Sequence, residues 1–244
     1  MRTLAVISRK GGVGKTTLSV NLAVTAYLAG VTTVVADLDS QRSATAWAKA
    51  RKVPGPAVLE TTRGKIFPLW AAAANAGTEL FIIDTPASPE EDVLQAARMA
   101  DLALLVTRPN YFDIAAIAQS VELLRRIGKP GLIVLNQAPP RRGGMEAPAV
   151  LNAVDALSQC GMPLARIGLR QRAGFSLGAG QGLAIQEIDP LGRGAGEMTG
   201  LWTQVQAALG GGSAEVHSPA PLLPPLHAID RAGPAWRGGL VPPR

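Results

Sequence analysis

Nine consecutive residues near the N-terminus, Arg9-Lys10-Gly11-Gly12-Val13-Gly14-Lys15-Thr16-Thr17, concentrate more chemistry than any other stretch of the 244-residue chain. Gly11, Gly12 and Gly14 let backbone N–H groups close around phosphate oxygens, with Val13 and Thr17 completing the cradle at the positive end of the helix that follows. Lys15 is placed to reach β- and γ-phosphates, and the Thr16 hydroxyl to coordinate Mg²⁺. The common phosphate-loop pattern has a glycine five residues before Gly14; this chain has Arg9 there, and a second lysine, Lys10, at the mouth of the loop. The competing reading is a strand–helix turn rich in glycine that holds no ligand.

Two further places supply carboxylates. Leu80-Phe81-Ile82-Ile83 runs into Asp84-Thr85-Pro86, an apolar strand followed by an acid that can hold Mg²⁺, often through water. Thr33-Val34-Val35-Ala36 runs into Asp37-Leu38-Asp39-Ser40-Gln41. Carboxylates at the C-terminal ends of parallel strands face the ligand crevice. Asp39 has a plainer alternative, capping a helix over Ser43–Arg51.

The elements that must position these groups alternate along the chain. Leu4–Ile7 reads as a buried strand, and Thr16–Ala29 as a helix with apolar residues at helical spacing, stopped by Gly30. After the Thr33–Ala36 strand come a strand at Ala57–Glu60, a helix over Ile66–Ala76 and the Leu80–Ile83 strand. Ser88-Pro89-Glu90-Glu91 predicts a helix start with Ser88 as the cap. Leu102–Val106 is the next strand, with Asp113 capping a helix to about Ile127. Leu132–Leu135, a helix over Ala147–Gln159, a seventh strand at Leu164–Ile167 and a final helix over Gly196–Leu209 complete the pattern. This is a doubly wound α/β arrangement, about seven mostly parallel strands with helices on both faces. Residues 1–210 form the folded domain; residues 211–244 hold seven prolines and scattered glycines and read as a disordered or extended tail.

Composition narrows the setting. Apolar residues make up 47% of the chain and aromatics 4%, so the core must be built from Ala, Leu, Val and Ile. The formal net charge is +6, of which the tail holds +1 (three Arg against Glu215 and Asp230), so a polyanionic partner is compatible with the rest. Cys160 is the only cysteine, which excludes an internal disulfide and suits the cytoplasm. No apolar run approaches the ~20 residues needed to cross a bilayer, and the opening residues read as a strand, not a signal peptide.

Residues 10–16 match, at every fixed position, the Lys-Gly-Gly-x-Gly-Lys-Thr/Ser loop of the ParA/MinD family of ATPases, and the chain resembles that family elsewhere. Asp37-Leu38-Asp39-Ser40-Gln41 is similar to its Asp-x-Asp-Pro-Gln switch, with Ser40 in place of proline; Asp84-Thr85-Pro86 is similar to its Asp-x-Pro ending. Arg172-Ala173-Gly174-Phe175, Gly182 and Glu187 resemble its late Arg-x-x-Phe…Gly…Glu segment. The resemblance spans residues 1–210. It implies a P-loop NTPase fold and ATP hydrolysis with Mg²⁺ as cofactor. Asp39 would position the attacking water, with Thr16, Asp37 and Asp84 at the metal and Asn136 and Pro109 near the adenine. Asn136 and Pro109 could equally be turn residues. It also implies an ATP-dependent homodimer in which Lys10 reaches the phosphates of the other subunit.

What such a dimer does depends on its surface. A positioning ATPase that binds DNA non-specifically, rides the nucleoid and answers to a small adaptor or centromere-binding activator is the first expectation, with Arg166, Arg170, Arg172 and Arg193 as its DNA contacts. A solvated rim of ordinary ion pairs is the alternative for these arginines. A membrane-cycling MinD-like regulator would want a C-terminal basic amphipathic helix, and the last helix has almost no basic residues. A metallocluster carrier would want paired cysteines, which one Cys160 cannot supply.

Overall fold

Six short apolar runs become strands, and the spacing of their buried residues explains why helices must cover both sides of the sheet. The computed structural model describes residues 1–210, so the tail expected over 211–244 lies outside the described residues. The elements in chain order are β1 (Arg2–Ile7), α1 (Lys15–Leu28), β2 (Thr33–Asp37), α2 (Ser43–Ala50), β3 (Ala57–Glu60), α3 (Ile66–Asn75), β4 (Leu80–Asp84) and α4 (Glu90–Met99). They continue with β5 (Leu102–Thr107), α5 (Tyr111–Arg126), β6 (Gly131–Leu135), α6 (Pro148–Ser158), α7 (Ala173–Gln181), α8 (Ile185–Ile188) and α9 (Arg193–Leu209).

Successive residues of each central strand enter different cores. Leu4, Val6, Val35, Ile82, Leu104 and Val134 pack with α1, α2, α8 and α9. Their neighbours Ala5, Ile7, Ala36, Phe81, Leu105 and Ile133 pack with α3 to α6 on the other face. The sheet order is β3-β2-β4-β1-β5-β6, and every pairing is parallel. The chain builds leftward from β1 through β2 and β3, returns to β4, then crosses to β5 and β6. The strand order therefore reverses beside β1, which places the ligand crevice at the C-terminal ends of β4, β1 and β5.

The expected seventh strand does not form. Residues 163–171 run beside β6 with bridges only at Ile133–Leu164 and Ala138–Arg170. Ile133 bonds on both sides of Leu164, to Pro163 O and from the Ala165 N–H, both at 2.8 Å, but Leu135 O then accepts from the Leu169 N–H at 2.8 Å where regular pairing would need Ile167, so the ladder is broken. Cap assignments also shift. Pro89, not Ser88, precedes α4, whose first turn holds Glu90, Glu91 and Asp92. Asn110, not Asp113, caps α5, its side chain accepting from the Asp113 N–H. Helices α7 and α8 were not anticipated, because Ala173-Gly174-Phe175-Ser176-Leu177-Gly178-Ala179-Gly180-Gln181 is glycine-rich and carries no clear apolar period.

Helix α1 is buried nearly all round, since α8 and α9 cover the side that the sheet does not. Its buried polar residues Asn21 and Thr25 are satisfied. Asn21 accepts from the Ile185 N–H at 2.8 Å and donates to Thr17 O at 2.7 Å, and Thr25 donates to Asn21 O at 2.7 Å. These bonds tie the helix that carries Lys15 and Thr16 to the C-terminal third of the chain.

Candidate functional site

The loop between β1 and α1 is shaped by two left-handed glycines, Gly12 at φ +72° and Gly14 at φ +87°. It is also held from outside by the end of β6. Asn136 Nδ2 donates to Val13 O at 2.8 Å, and Gln137 Nε2 donates to Gly12 O at 3.0 Å. Two loop carbonyls are thereby turned outward, which leaves the N–H groups for an anion. Lys15 is buried and folds back under the loop, its Nζ 3.5 Å from Lys10 O. Burial lowers its pKa from the ordinary lysine value, opposed by the charges of Asp84 and Asp39. Lys10 is exposed at the mouth, and its ammonium has no hydrogen bond or ion pair among the described residues.

Asp37 and Asp84 are register partners on β2 and β4, both fully buried. Asp84 Oδ1 accepts from Ser19 Oγ at 3.0 Å. Asp37 Oδ2 accepts from the Thr45 N–H at 2.9 Å and its hydroxyl at 2.8 Å. The other oxygens, Asp37 Oδ1 and Asp84 Oδ2, are buried and have no partner among the described residues. Burial pushes the Asp84 carboxyl up to about 7, against the pull of the Thr16 and Ser19 hydroxyls and of Lys15. Unsatisfied buried carboxylate oxygens are costly, and a cation with its waters would satisfy them. Among the described residues no group of three or more His, Cys, Asp or Glu could cage a metal. The two carboxylates present are the share that a protein usually contributes to Mg²⁺, the rest being waters and phosphate oxygens.

Asp39 is half-buried, and its Oδ1 accepts from the Gln41 N–H at 2.9 Å. It does not cap α2. The first turn of that helix is served by Asp37 through Thr45, after Arg42 in a left-handed conformation at φ +53°. Arg42 is itself fixed, its Nη1 donating to Asp37 O at 2.7 Å and Thr61 O at 2.8 Å.

A cleft of about 460 Å³ opens beside the start of α1, lined by Thr17, Leu18, Asn136, Gln137, Leu169, Phe175 and their neighbours. Its size and mixed apolar and amide walls suit a small planar ligand. Asn136 borders it, but both ends of its amide are committed, Nδ2 to Val13 O and Oδ1 to the Gln137 N–H at 2.9 Å. It braces the loop from within the cleft wall. Pro109 does not line the cleft.

The four arginines expected on a DNA surface divide into two pairs. Arg170 lies against Glu146, with Nη1 to Oε2 at 2.8 Å and a second contact from Nη2 to Oε1, and it also donates to Pro139 O at 2.7 Å. Arg172 is paired with Glu197 through both Nε and Nη2. These two are neutralised and partly buried, which removes them as free phosphate contacts. Arg166 and Arg193 are exposed and form no ion pair among the described residues. Sequence reading also missed Ser19, Thr45 and Gln137. A hydroxyl or amide with no motif around it carries no signal until the fold brings it to a carboxylate or a carbonyl.

The model of the CobQ/CobB/MinD/ParA nucleotide binding domain matches residues 4–194. The chain is 30% identical over 187 residues to the maintenance of carboxysome distribution protein A of Gloeobacter kilaueensis, covering 75% of this chain and 83% of that protein. It is 33% identical over 126 residues to protein ParA of Rhizobium radiobacter, covering 51% and 56%. The Mg-ADP complex of the septum site-determining protein MinD of Pyrococcus horikoshii superposes with a TM-score of 0.69 at 19% identity, over 88% of this chain and 99% of that one, which shows the shared fold. With the phosphate loop, the paired aspartates and the parallel sheet in place, the chain belongs to the CobQ/CobB/MinD/ParA nucleotide-binding family and is a ParA-like member of it.

Proposed function

We propose that the protein is an ATP hydrolase that works as an ATP-dependent sandwich dimer to position an intracellular cargo. The observation that carries this reading is the contrast between its two loop lysines. Lys15 is buried beneath its own loop, whereas Lys10 is exposed at the mouth and its ammonium has no partner among the described residues. A cation so placed serves phosphates that approach from outside, as those of a second subunit would.

In this reading the N–H groups of Gly11 to Thr17 and the Lys15 ammonium hold the β- and γ-phosphates, and Thr16, Asp84 and Asp37 hold Mg²⁺. Bound Mg²⁺ neutralises charge on the phosphate oxygens. Asp39, with one oxygen tied to the Gln41 N–H, orients water for in-line attack, giving ADP and phosphate. Asn136 and Gln137 keep the loop in shape, and the cleft beside Thr17 receives the adenine. Cargo positioning draws on the relatives' names, which include carboxysome distribution and ParA. Non-specific DNA binding on the nucleoid rests on Arg166 and Arg193, which form no ion pair among the described residues, and on the net basic charge, and a small adaptor or centromere-binding activator would trigger hydrolysis. Among the described residues no helix is long and apolar enough to cross a membrane.

Sedimentation of Lys10→Ala with a non-hydrolysable ATP analogue tests the central point. The variant should bind nucleotide as a monomer and fail to dimerise. A normal dimer would remove the cross-subunit role of Lys10.

A further inference from the structure

Arg108 follows the last residue of β5, the strand next to β1, and its side chain leans over the phosphate loop. A methyl group on Gly12 would lie 4.0 Å from Arg108 Nη1. One edge of the guanidinium is fixed, with Nε donating to Asp113 Oδ2 at 2.5 Å. Asp113, buried in the first turn of α5, also accepts from Asn110 Nδ2 at 3.0 Å, and its own N–H donates to Asn110 Oδ1 at 3.0 Å. The Asn110 N–H closes on Arg108 O at 2.8 Å. Arg108, Asn110 and Asp113 thus lock one another, and the orientation of the guanidinium is set before any ligand arrives.

The other edge is unused. Arg108 Nη1 and Nη2 make no hydrogen bond or ion pair among the described residues, and the side chain is 34% exposed. If Arg108 served only to neutralise Asp113, nothing would require this free edge to face the loop. Asp113 already has the Asn110 amide and the positive end of α5. A planar edge with two N–H donors matches phosphate oxygens better than the point charges of Lys10 and Lys15 can.

We propose that Arg108 is a phosphate-binding residue of the loop, a preset fork that contacts a nucleotide phosphate beside Gly12. The proposal rests on the nucleotide reading above. The phosphate is either that of the nucleotide in the same loop or that of a second copy docked against it, and two measurements separate these sources.

Arg108→Ala and Arg108→Lys are compared with the unaltered protein by calorimetric titration of ADP and a non-hydrolysable ATP analogue at dilutions that keep the protein monomeric. Sedimentation with the analogue then follows dimer formation. Arg108→Ala should lose about tenfold in affinity, the scale of one charge-assisted hydrogen bond partly open to water. The loss falls on monomer binding if the phosphate is its own. It falls on dimerisation, with monomer affinity unchanged, if the phosphate belongs to the second copy. Arg108→Lys should recover part of either loss, which a merely structural role would not predict. Unchanged values in both assays overturn the proposal, as does a lowered nucleotide-free melting temperature that accounts for the weaker binding. If the unaltered protein binds neither nucleotide, the nucleotide reading itself falls, and that result precedes any variant.

Discussion

Replacing Gly14 by Ala tests the idea that the phosphate loop is shaped from β6 as well as from its own glycines. The new methyl group would lie 2.5 Å from Asn136 Nδ2 and 3.2 Å from Gln137 Nε2, at a backbone φ of +87°. The left-handed conformation costs an alanine roughly 1–2 kcal/mol. Displacing the Asn136 amide leaves Val13 O without its buried donor, a further ~1–3 kcal/mol. The total of ~2–5 kcal/mol corresponds to roughly 2–4 °C of melting temperature per kcal/mol in a domain of this size. The two terms separate in a double-mutant cycle. Asn136→Ala already loses the bond to Val13 and also removes the group that the new methyl meets. The double variant should therefore cost less than the two single ones together, by ~1–3 kcal/mol. Urea unfolding without nucleotide, followed by circular dichroism, measures all three. Additivity within ~0.5 kcal/mol would show that Asn136 does not brace the loop.

Asp39→Ala should keep nucleotide binding and slow phosphate release by at least ~10²-fold, the scale of positioned water and base-like assistance; an unchanged rate would make Asp39 a turn residue only. Glu146 is held down to about 2, below the ordinary carboxylate value, chiefly by its hydrogen bonds with Arg170. Its stabilising contribution is thus complete above about 4.3 and is lost as pH falls through about 2. Melting curves of the unaltered protein and Glu146→Gln should differ at pH 6 and converge towards pH 2; a gap that stays constant refutes the pairing. Replacing Arg166 and Arg193 together should flatten the salt dependence of DNA binding by about 0.9 log unit for each phosphate no longer neutralised, and a slope equal to that of the unaltered protein would clear both residues of that role.

The alternation of apolar strands with helices was legible because both faces of a parallel sheet are buried, so each strand reads as a continuous apolar run. The loop was legible because its glycines and lysines act through backbone and charge at fixed spacing. The edge was less so. Leu164–Ile167 has the composition of a strand, yet the chain leaves register after Ala165 and Leu135 O is met by the Leu169 N–H instead of that of Ile167, an excursion invisible in local sequence. Asp37 and Asp39 show the same limit within the site. The strand ends at Asp37, so alternation along it says nothing of where Asp39 turns, and which of them would serve α2 depended on Thr45, eight residues beyond Asp37, arriving within hydrogen-bond distance. The bond from Asn136 to the phosphate loop was not legible, because the carbonyl that it serves belongs to Val13, 123 residues earlier.

Charge was the least legible property. Formal charge counts every arginine alike, whereas a polyanion meets only those whose guanidinium is free. Arg170, with a side chain 14% exposed and two contacts to Glu146, already has the planar bidentate partner that a phosphate would have to displace. Arg172 is in the same position with Glu197. Removing Arg172 would uncover Glu197, and removing Arg170 would leave Glu146 to Arg141 alone, in the groove shared with Arg166 and Arg193, so either change makes that groove less positive. A loss of DNA affinity in such a variant would therefore be explained by the changed charge of the groove, without any phosphate contact by Arg170 or Arg172. Arg166 and Arg193, exposed and without an ion pair among the described residues, are the informative ones to replace, because their loss changes the surface and leaves the packing beneath it intact.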